Sequence, residues 1–325
     1  MSSPTQSKTK SDTIRIGTRE SQLAQLQTSI VVAAIKANYP DAKIDVVFVT
    51  TRGDKTQDRP ISALGTRGVF VKELEEALMA DEVDLVVHSL KDLPTDLPDG
   101  LCLASVLQRA DARDVLVSKN KTRFVNLPAG SRVATSSRRR AAQLRSIRQD
   151  LEFIDIRGNV PTRLRKHDEG QCEAMVLAAA GLHRLNLQDR ITEYFESNVS
   201  TPAAGQGALA IECRSNDTRV LEIAASIEDK TVRAEITSER AFLDKLGGGC
   251  SVPIGALATA DGARRVKLIG CVASIDGKTV IRAELEGAST DAEKIGVDLA
   301  DKLLTLGARD VLEHLKQIPV TLSPP

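Results

Sequence analysis

The feature that most constrains this chain is a strict alternation of short apolar runs with helical periodicity. Thr13–Gly17 reads as a strand, and Ser21 or Gln22 to Asn38 carries Ala, Leu, Ile and Val at helical spacing until Tyr39-Pro40 stops it. Lys43–Thr50 (KIDVVFVT) is a strand, Val69–Met79 a helix, and Val83–Val87 (VDLVV) a strand apolar on both faces. Such strands need helices above and below, which is the grammar of a doubly wound α/β sheet. After residue 110 the rhythm restarts. Asp114–Ser118, Arg132–Ala134, Leu151–Ile156 and Ala174–Leu177 read as strands, with helices at Arg138–Arg148 and Val160–Lys166. Ala208–Cys213 is a further strand, expected to return to the first half.

The grammar changes near residue 228. A helix over Thr231–Leu246 ends at Gly247-Gly248-Gly249. Ile254–Thr259, Val266–Ala273 and Thr279–Glu286 follow as a meander with Asp-Gly turn signals. Asp291–Lys316 is an amphipathic helix interrupted at Gly307. The expected architecture is α/β in three domains: two doubly wound lobes around a cleft and a small α+β domain with an antiparallel sheet. The boundaries are 11–109 with 205–227, then 110–204, then 228–325.

Composition narrows the ligand. There is no Trp, and only two Tyr and six Phe, so stacking on rings is a poor way to hold anything here and single-stranded nucleic acid is disfavoured. Formal charge is zero, with 44 basic and 44 acidic residues, yet residues 131–166 hold ten basic against three acidic side chains. A local charge of +7 in a neutral protein points to one anionic site. The cysteines (Cys102, Cys172, Cys213, Cys250, Cys271) are scattered and without CxxC spacing, so neither a disulfide framework nor a zinc site is expected. The polar leader and the lack of a long apolar run predict a cytoplasmic protein that does not contact membranes.

Four segments lie where ligands meet α/β sheets, at strand ends. Arg19, in Gly17-Thr18-Arg19-Glu20-Ser21, stands at a helix start suited to a carboxylate, or serves simply as a solvent-facing residue beside a helix cap. Ser89, Lys91 and Asp92 follow the VDLVV strand in HSLKDLP, where a carboxylate can stabilise a cation forming nearby, while His88 reads as a packed strand-end residue. Thr135, Ser137, Arg139 and Arg140, with Arg157 and Arg163 further on, offer hydroxyls, N–H groups and guanidinium forks for carboxylates or phosphates, a nucleic-acid groove being the rival. Cys250, on the Gly247–Gly249 loop, is the best nucleophile candidate. No Cys/His pairing is visible, so it fits a thiol that carries a covalent group better than a hydrolase.

In order along the chain stand IRIGTRESQLA, VTTRGD, GVFVKELEEAL, DLVVHSLKDLP, ATSSRRRAAQLR, IRGNVPTRL, LAAAGLHRL, AAGQGALAIEC and GGGCSVPIG. Through this ordered set, from about Ile14 to Gln317, the chain resembles the hydroxymethylbilane synthase (porphobilinogen deaminase) family. The resemblance implies lobes like those of periplasmic binding proteins. It also implies a transferase of porphyrin and haem biosynthesis that condenses four porphobilinogen molecules, with loss of ammonia, into the linear tetrapyrrole hydroxymethylbilane. Growth would occur on a dipyrromethane cofactor held by a thioether to Cys250. Asp92 would be catalytic; Lys91, Ser89, Thr135, Ser137, Arg139, Arg140, Arg157 and Arg184 would bind the cofactor; Arg19, Arg163 and Arg67 would bind substrate.

The expected partners are therefore porphobilinogen and the growing oligopyrrole, the chain acting as a monomer. Three departures from the family pattern stand out: Arg138 where Leu is usual, Ala63 where a basic residue is common, and Gly248 where Glu is frequent. The alternative from another class is a non-catalytic two-lobed anion-binding protein, which would have no use for Cys250.

Overall fold

The computed structural model describes residues 13–51, 53, 70–248, 252–262 and 264–317. The chain opens with β1 (Thr13–Thr18), α1 (Gln22–Asn38), β2 (Lys43–Phe48), α2 (Lys72–Met79), β3 (Leu85–Ser89) and β4 (Leu101–Val106). It continues through β5 (Asp114–Ser118), β6 (Arg132–Ala134), α3 (Arg138–Arg145), β7 (Glu152–Ile154), α4 (Val160–Asp168), β8 (Ala174–Ala178), α5 (Ala179–Arg184) and β9 (Glu193–Tyr194). Then come β10 (Leu209–Arg214), α6 (Thr218–Ser226), α7 (Lys230–Lys245), β11 (Ile254–Asp261), β12 (Arg265–Ala273), β13 (Val280–Ala288), α8 (Ala292–Leu303) and α9 (Arg309–Gln317).

These elements form two five-stranded sheets, ordered β2-β1-β3-β10-β4 and β7-β6-β8-β5-β9, and a three-stranded sheet β11-β12-β13. The third is antiparallel throughout, as its turn signals predict. In the first, β1 runs parallel to β2 and β3, whereas β10 is antiparallel to β3 and β4. The second repeats the pattern: β6 is parallel to its neighbours, and β5 is antiparallel to β8 and β9. Both lobes are thus mixed sheets, because each is crossed by a strand that arrives from, or leaves for, the other lobe. β10 does return to the first sheet.

Helix ends follow local chemistry. Ser21 caps α1 by accepting from the Ala24 N–H at 3.3 Å, and Asn159 caps α4, whose second residue is Pro161. The helix expected over Arg138–Arg148 stops at Arg145. Arg148 instead forks onto the Val125 and Leu127 carbonyls, 2.8 Å each, and onto Asp150, which fixes it in the following turn. The expected strand Leu151–Ile156 shrinks to Glu152–Ile154. The break near Gly307 is real: Gly307 adopts φ 106 between α8 and α9.

With so few aromatics the cores are aliphatic. Ile16, Val31, Ile35, Leu85 and Ile211 fill the first lobe; Leu116, Val133, Leu144 and Met175 the second; Phe242, Leu268, Leu299 and Leu303 the third domain. Burying each large aliphatic side chain contributes about 1.5–3 kcal/mol. In the third domain a Cβ at residue 296 would lie 2.3 Å from the Ser238 carbonyl, so Gly296 is what lets α8 lie against α7.

The chain passes between the lobes twice, and the two passages touch: the Ala110 N–H donates to the Gly207 carbonyl at 3.1 Å. Gly207 has φ 92, and any Cβ there would strike the Ala110 oxygen at 2.4 Å. Arg109 clamps this crossing. Its guanidinium reaches Glu239 at 2.6 and 3.1 Å and Glu235 at 3.2 Å, and donates to the Gln206 carbonyl at 3.0 Å. Glu239, fully buried on α7, also accepts from the Gly205 and Ala258 N–H groups at 2.6 and 2.7 Å. One carboxylate therefore joins the crossing, α7 and β11.

Candidate functional site

β3 ends in a single 3₁₀ turn, Leu90–Asp92, and its Leu90 and the capping Leu93 that follows it are buried. They anchor the turn, the Leu90 N–H holds it to the Ala208 carbonyl at 3.1 Å, and Lys91 and Asp92 are left half-buried at its surface. Ser89 accepts from the Gln27 amide on α1 at 2.7 Å, so its hydroxyl braces the turn from behind. The Asp92 carboxylate makes no hydrogen bond or salt bridge among the described residues. Its charge is nevertheless felt by Lys91, Arg140 and Arg163, which puts all four groups at one place.

The second lobe supplies the cations. Ser137 caps α3 by accepting from the Arg140 N–H at 3.4 Å, Thr135 accepts from the Ser137 N–H at 3.2 Å, and the Ser136 hydroxyl donates to the Ile156 carbonyl. Arg139 and Arg140 turn inward from α3 and converge on Asp114, at 2.6 and 2.8 Å. Burial alone would raise the Asp114 carboxyl; the two guanidinium groups override it and hold it well below the usual carboxylate range. Arg139 also donates to the Thr201 carbonyl at 2.7 Å and Arg140 to the Val176 carbonyl at 3.1 Å. These two arginines thus have an internal acid, which their expected role in holding a ligand did not anticipate.

Other cations do not. Arg163 donates to the Gly158 carbonyl at 2.7 Å, Arg184 to the Gly207 carbonyl at 2.7 Å, and Lys91 to the Gln206 side-chain oxygen at 3.4 Å. The Arg157 Nε is buried without a hydrogen-bond partner among the described residues. None of the four makes a salt bridge among the described residues. Burial, with Arg140 nearby, lowers Lys91 to about 8; burial, with Arg140 and Arg157, lowers Arg163 to about 10; burial lowers Arg184 to about 10. Desolvated positive groups without a salt bridge favour an anion beside them.

Two residues that sequence reasoning missed hold this arrangement together. Gln206, 1% exposed, accepts from Lys91 and, at 3.2 Å, from Arg140, while its amide donates to Asp114 at 2.9 Å and the Ala112 carbonyl at 2.6 Å. It bridges the lobes. Its signal was its place between two glycines in AAGQGALAIEC; that of Asp114 was an acid opening an otherwise apolar strand. Arg19 follows β1, its guanidinium 4.1 Å from the Phe70 ring centre. Arg184 sits apart from the Asp92 turn, on the wall of a cavity of about 640 Å³ shared with Arg109, Leu107 and Lys230. His88 is a packed residue, as expected, bonded to buried Glu212 at 2.8 Å. Cys250, Arg67 and Ala63 lie outside the described residues.

Comparison with known proteins gives this geometry a context. Residues 14–222 match the family model described as porphobilinogen deaminase, dipyromethane cofactor binding domain, and residues 233–305 match the porphobilinogen deaminase C-terminal domain. The chain belongs to the porphobilinogen deaminase family. The porphobilinogen deaminase of Roseiflexus castenholzii is 48% identical over 301 residues, covering 93% of this chain and 99% of that protein. That of Trichlorobacter lovleyi is 45% identical over 304 residues, 94% of this chain and 97% of that protein. A distant likeness is the methionine-binding protein MetQ, with TM-score 0.44 and 14% identity over 66% of this chain and 90% of that one.

The porphobilinogen deaminase match for cofactor binding spans both lobes, and so includes the Asp92 turn, Gln206 and every arginine described above. Cys250 falls in the C-terminal match. The donor set fits a polycarboxylate cofactor: among the described residues Lys91, Arg157, Arg163 and Arg184 make no salt bridge, and the buried Arg157 Nε has no hydrogen-bond partner. Among the described residues no cluster of metal-ligating side chains occurs, and no helix is long and apolar enough to cross a membrane.

Proposed function

We propose that this chain acts as a hydroxymethylbilane synthase. It joins four porphobilinogen molecules head to tail, releases an ammonia at each addition, and frees the linear tetrapyrrole hydroxymethylbilane by hydrolysis. The observation that carries this reading is a half-buried carboxylate, Asp92, that makes no hydrogen bond or salt bridge among the described residues and lies beside Lys91, Arg163 and the Asp114-bound Arg140. A dipyrromethane held by a thioether to Cys250 supplies the pyrrole carbon on which the chain grows. Lys91, Arg157 and Arg163 bind acetate and propionate groups, each charge-assisted bond contributing about 1.5–3 kcal/mol.

Arg139 and Arg140 act from within the Asp114 cluster, their field adding to the anion affinity. Thr135 and Ser137 fix the start of α3 and so the direction of both arginines. Asp92 accepts hydrogen bonds from pyrrole N–H groups, its negative charge steadies the positive charge that develops as ammonia leaves, and it assists transfer of the proton that the terminal pyrrole carbon loses when the new C–C bond forms. Arg19 and Arg67 meet incoming substrate, and Arg184 supports the far end of the bound chain. The protein works as a monomer in the cytoplasm.

Intact-protein mass tests the tether and one further variant tests the chemistry. The wild type is expected to exceed its sequence mass by two linked pyrrole units, Cys250→Ser to lack the increment, and Asp92→Ala to keep it while losing turnover. An unmodified yet fully active wild type overturns the tether, and near-normal rates in Asp92→Ala remove that residue from the mechanism.

A further inference from the structure

Two cysteines outside the proposed site face each other across the first sheet. β4 and β10 run antiparallel with Cys102 directly opposite Cys213 in the register. Both side chains pack in the same apolar cluster, beside Val220, Ile223 and Ala224 of α6, so they leave the sheet on one face. Directly opposed residues of antiparallel strands have Cα atoms about 4.5–5.5 Å apart, inside the span of about 4.4–6.8 Å that a disulfide accepts. The two thiols are unequal in access. Cys102 is half-buried at the sheet edge, whereas Cys213 is buried behind it. One sulfur can meet a solvent oxidant and the other can resolve the product, which is the layout of a reversible redox pair.

We propose that Cys102 and Cys213 form a reversible cross-strand disulfide when the protein meets a two-electron oxidant of the peroxide class. Cys102, as thiolate, attacks a peroxide oxygen; the O–O bond breaks, one water leaves, and Cys102 becomes a sulfenic acid. Cys213 then attacks that sulfur, the S–S bond forms, the S–O bond breaks, and its thiol proton leaves with the oxygen as a second water. Two thiols give up two electrons and one peroxide is reduced.

Burial raises both thiols, Cys213 to about 12; at Cys102 the neighbouring Cys213 and Arg233 offset part of the rise. The pair is therefore slow to react and responds to sustained rather than passing oxidant. The bond would lie at the end of β4 and β10 remote from the crossing, since Val106 pairs with Ala210 at the near end. It would also close a loop containing the entire second sheet, limiting how far the unfolded chain can spread.

The full-length, cofactor-loaded protein is treated with hydrogen peroxide, digested without reduction and mapped by mass spectrometry. Expected is one peptide pair joined through Cys102 and Cys213, two hydrogens lighter than its parts and separated by a phosphine reductant. A higher urea midpoint and unchanged turnover should accompany it. Cys102→Ser should abolish the linked pair with activity intact. The proposal is overturned if Cys102 proceeds to sulfinic or sulfonic acid while Cys213 stays free, if Cys213 links to another cysteine, or if both thiols survive prolonged peroxide unchanged.

Discussion

Lys91 shows how a single residue can be tuned by where it is held. Its ammonium group is drawn down from an ordinary 10.5 to about 8 because burial penalises the charge and Arg140 repels it, more than Asp92 and Asp114 compensate. Below pH 8 folded and unfolded chains both carry the proton. Between about 8 and 10.5 the unfolded chain keeps a proton that the folded chain has released, so stability of the cofactor-free protein rises with pH across that window. An NMR titration of the lysine side chains in Cys250→Ser should show Lys91 with a midpoint near 8, moved upward once polycarboxylate is added. A midpoint at the ordinary lysine value would mean the residue is open to water and plays no part in the receptor.

At the scale of elements, α3 matters most, because one turn of helix aims two arginines at the end of β5. Asp114→Ala would leave Arg139 and Arg140 buried without an acid, and is expected to cost about 3–5 kcal/mol in urea unfolding. A loss below about 1 kcal/mol, the level of an exposed pair, would show that water replaces the carboxylate. The existence of α3 was legible in ATSSRRRAAQLR, and so was the carboxylate at the HSLKDLP strand end. Where the arginines point was not, since that depends on β5 lying under α3, a contact remote in sequence. β4 escaped notice because LCLASV mixes small and large residues without clean alternation, and α6 because its cap, Asp217, opens only a short helix. Mixed sheet direction was equally hidden: local periodicity reveals a strand but not which way its neighbour runs.

For the whole molecule, the Arg109–Glu239 contact decides whether the parts behave as one. It ties the crossing segments to α7 and, through the Ala258 N–H, to β11 of the third sheet. Arg109→Ala leaves Glu239 buried with only backbone donors, and an expected loss of about 3–5 kcal/mol should fall on the junctions rather than on any core. Calorimetry should then resolve the wild-type transition into more than one. A single transition merely shifted to lower temperature would place the clamp's importance elsewhere.

The position of β10 carries a consequence for how the protein is made. This strand lies between β3 and β4, yet it follows the second sheet in the chain. A nascent polypeptide emerging from the ribosome must therefore expose an unpartnered gap between β3 and β4 until residue 214 has cleared the exit, whereas the second lobe has all its strands by residue 194. The lobe that starts first is finished last, and during that interval the turn bearing Asp92 has no β10 behind it.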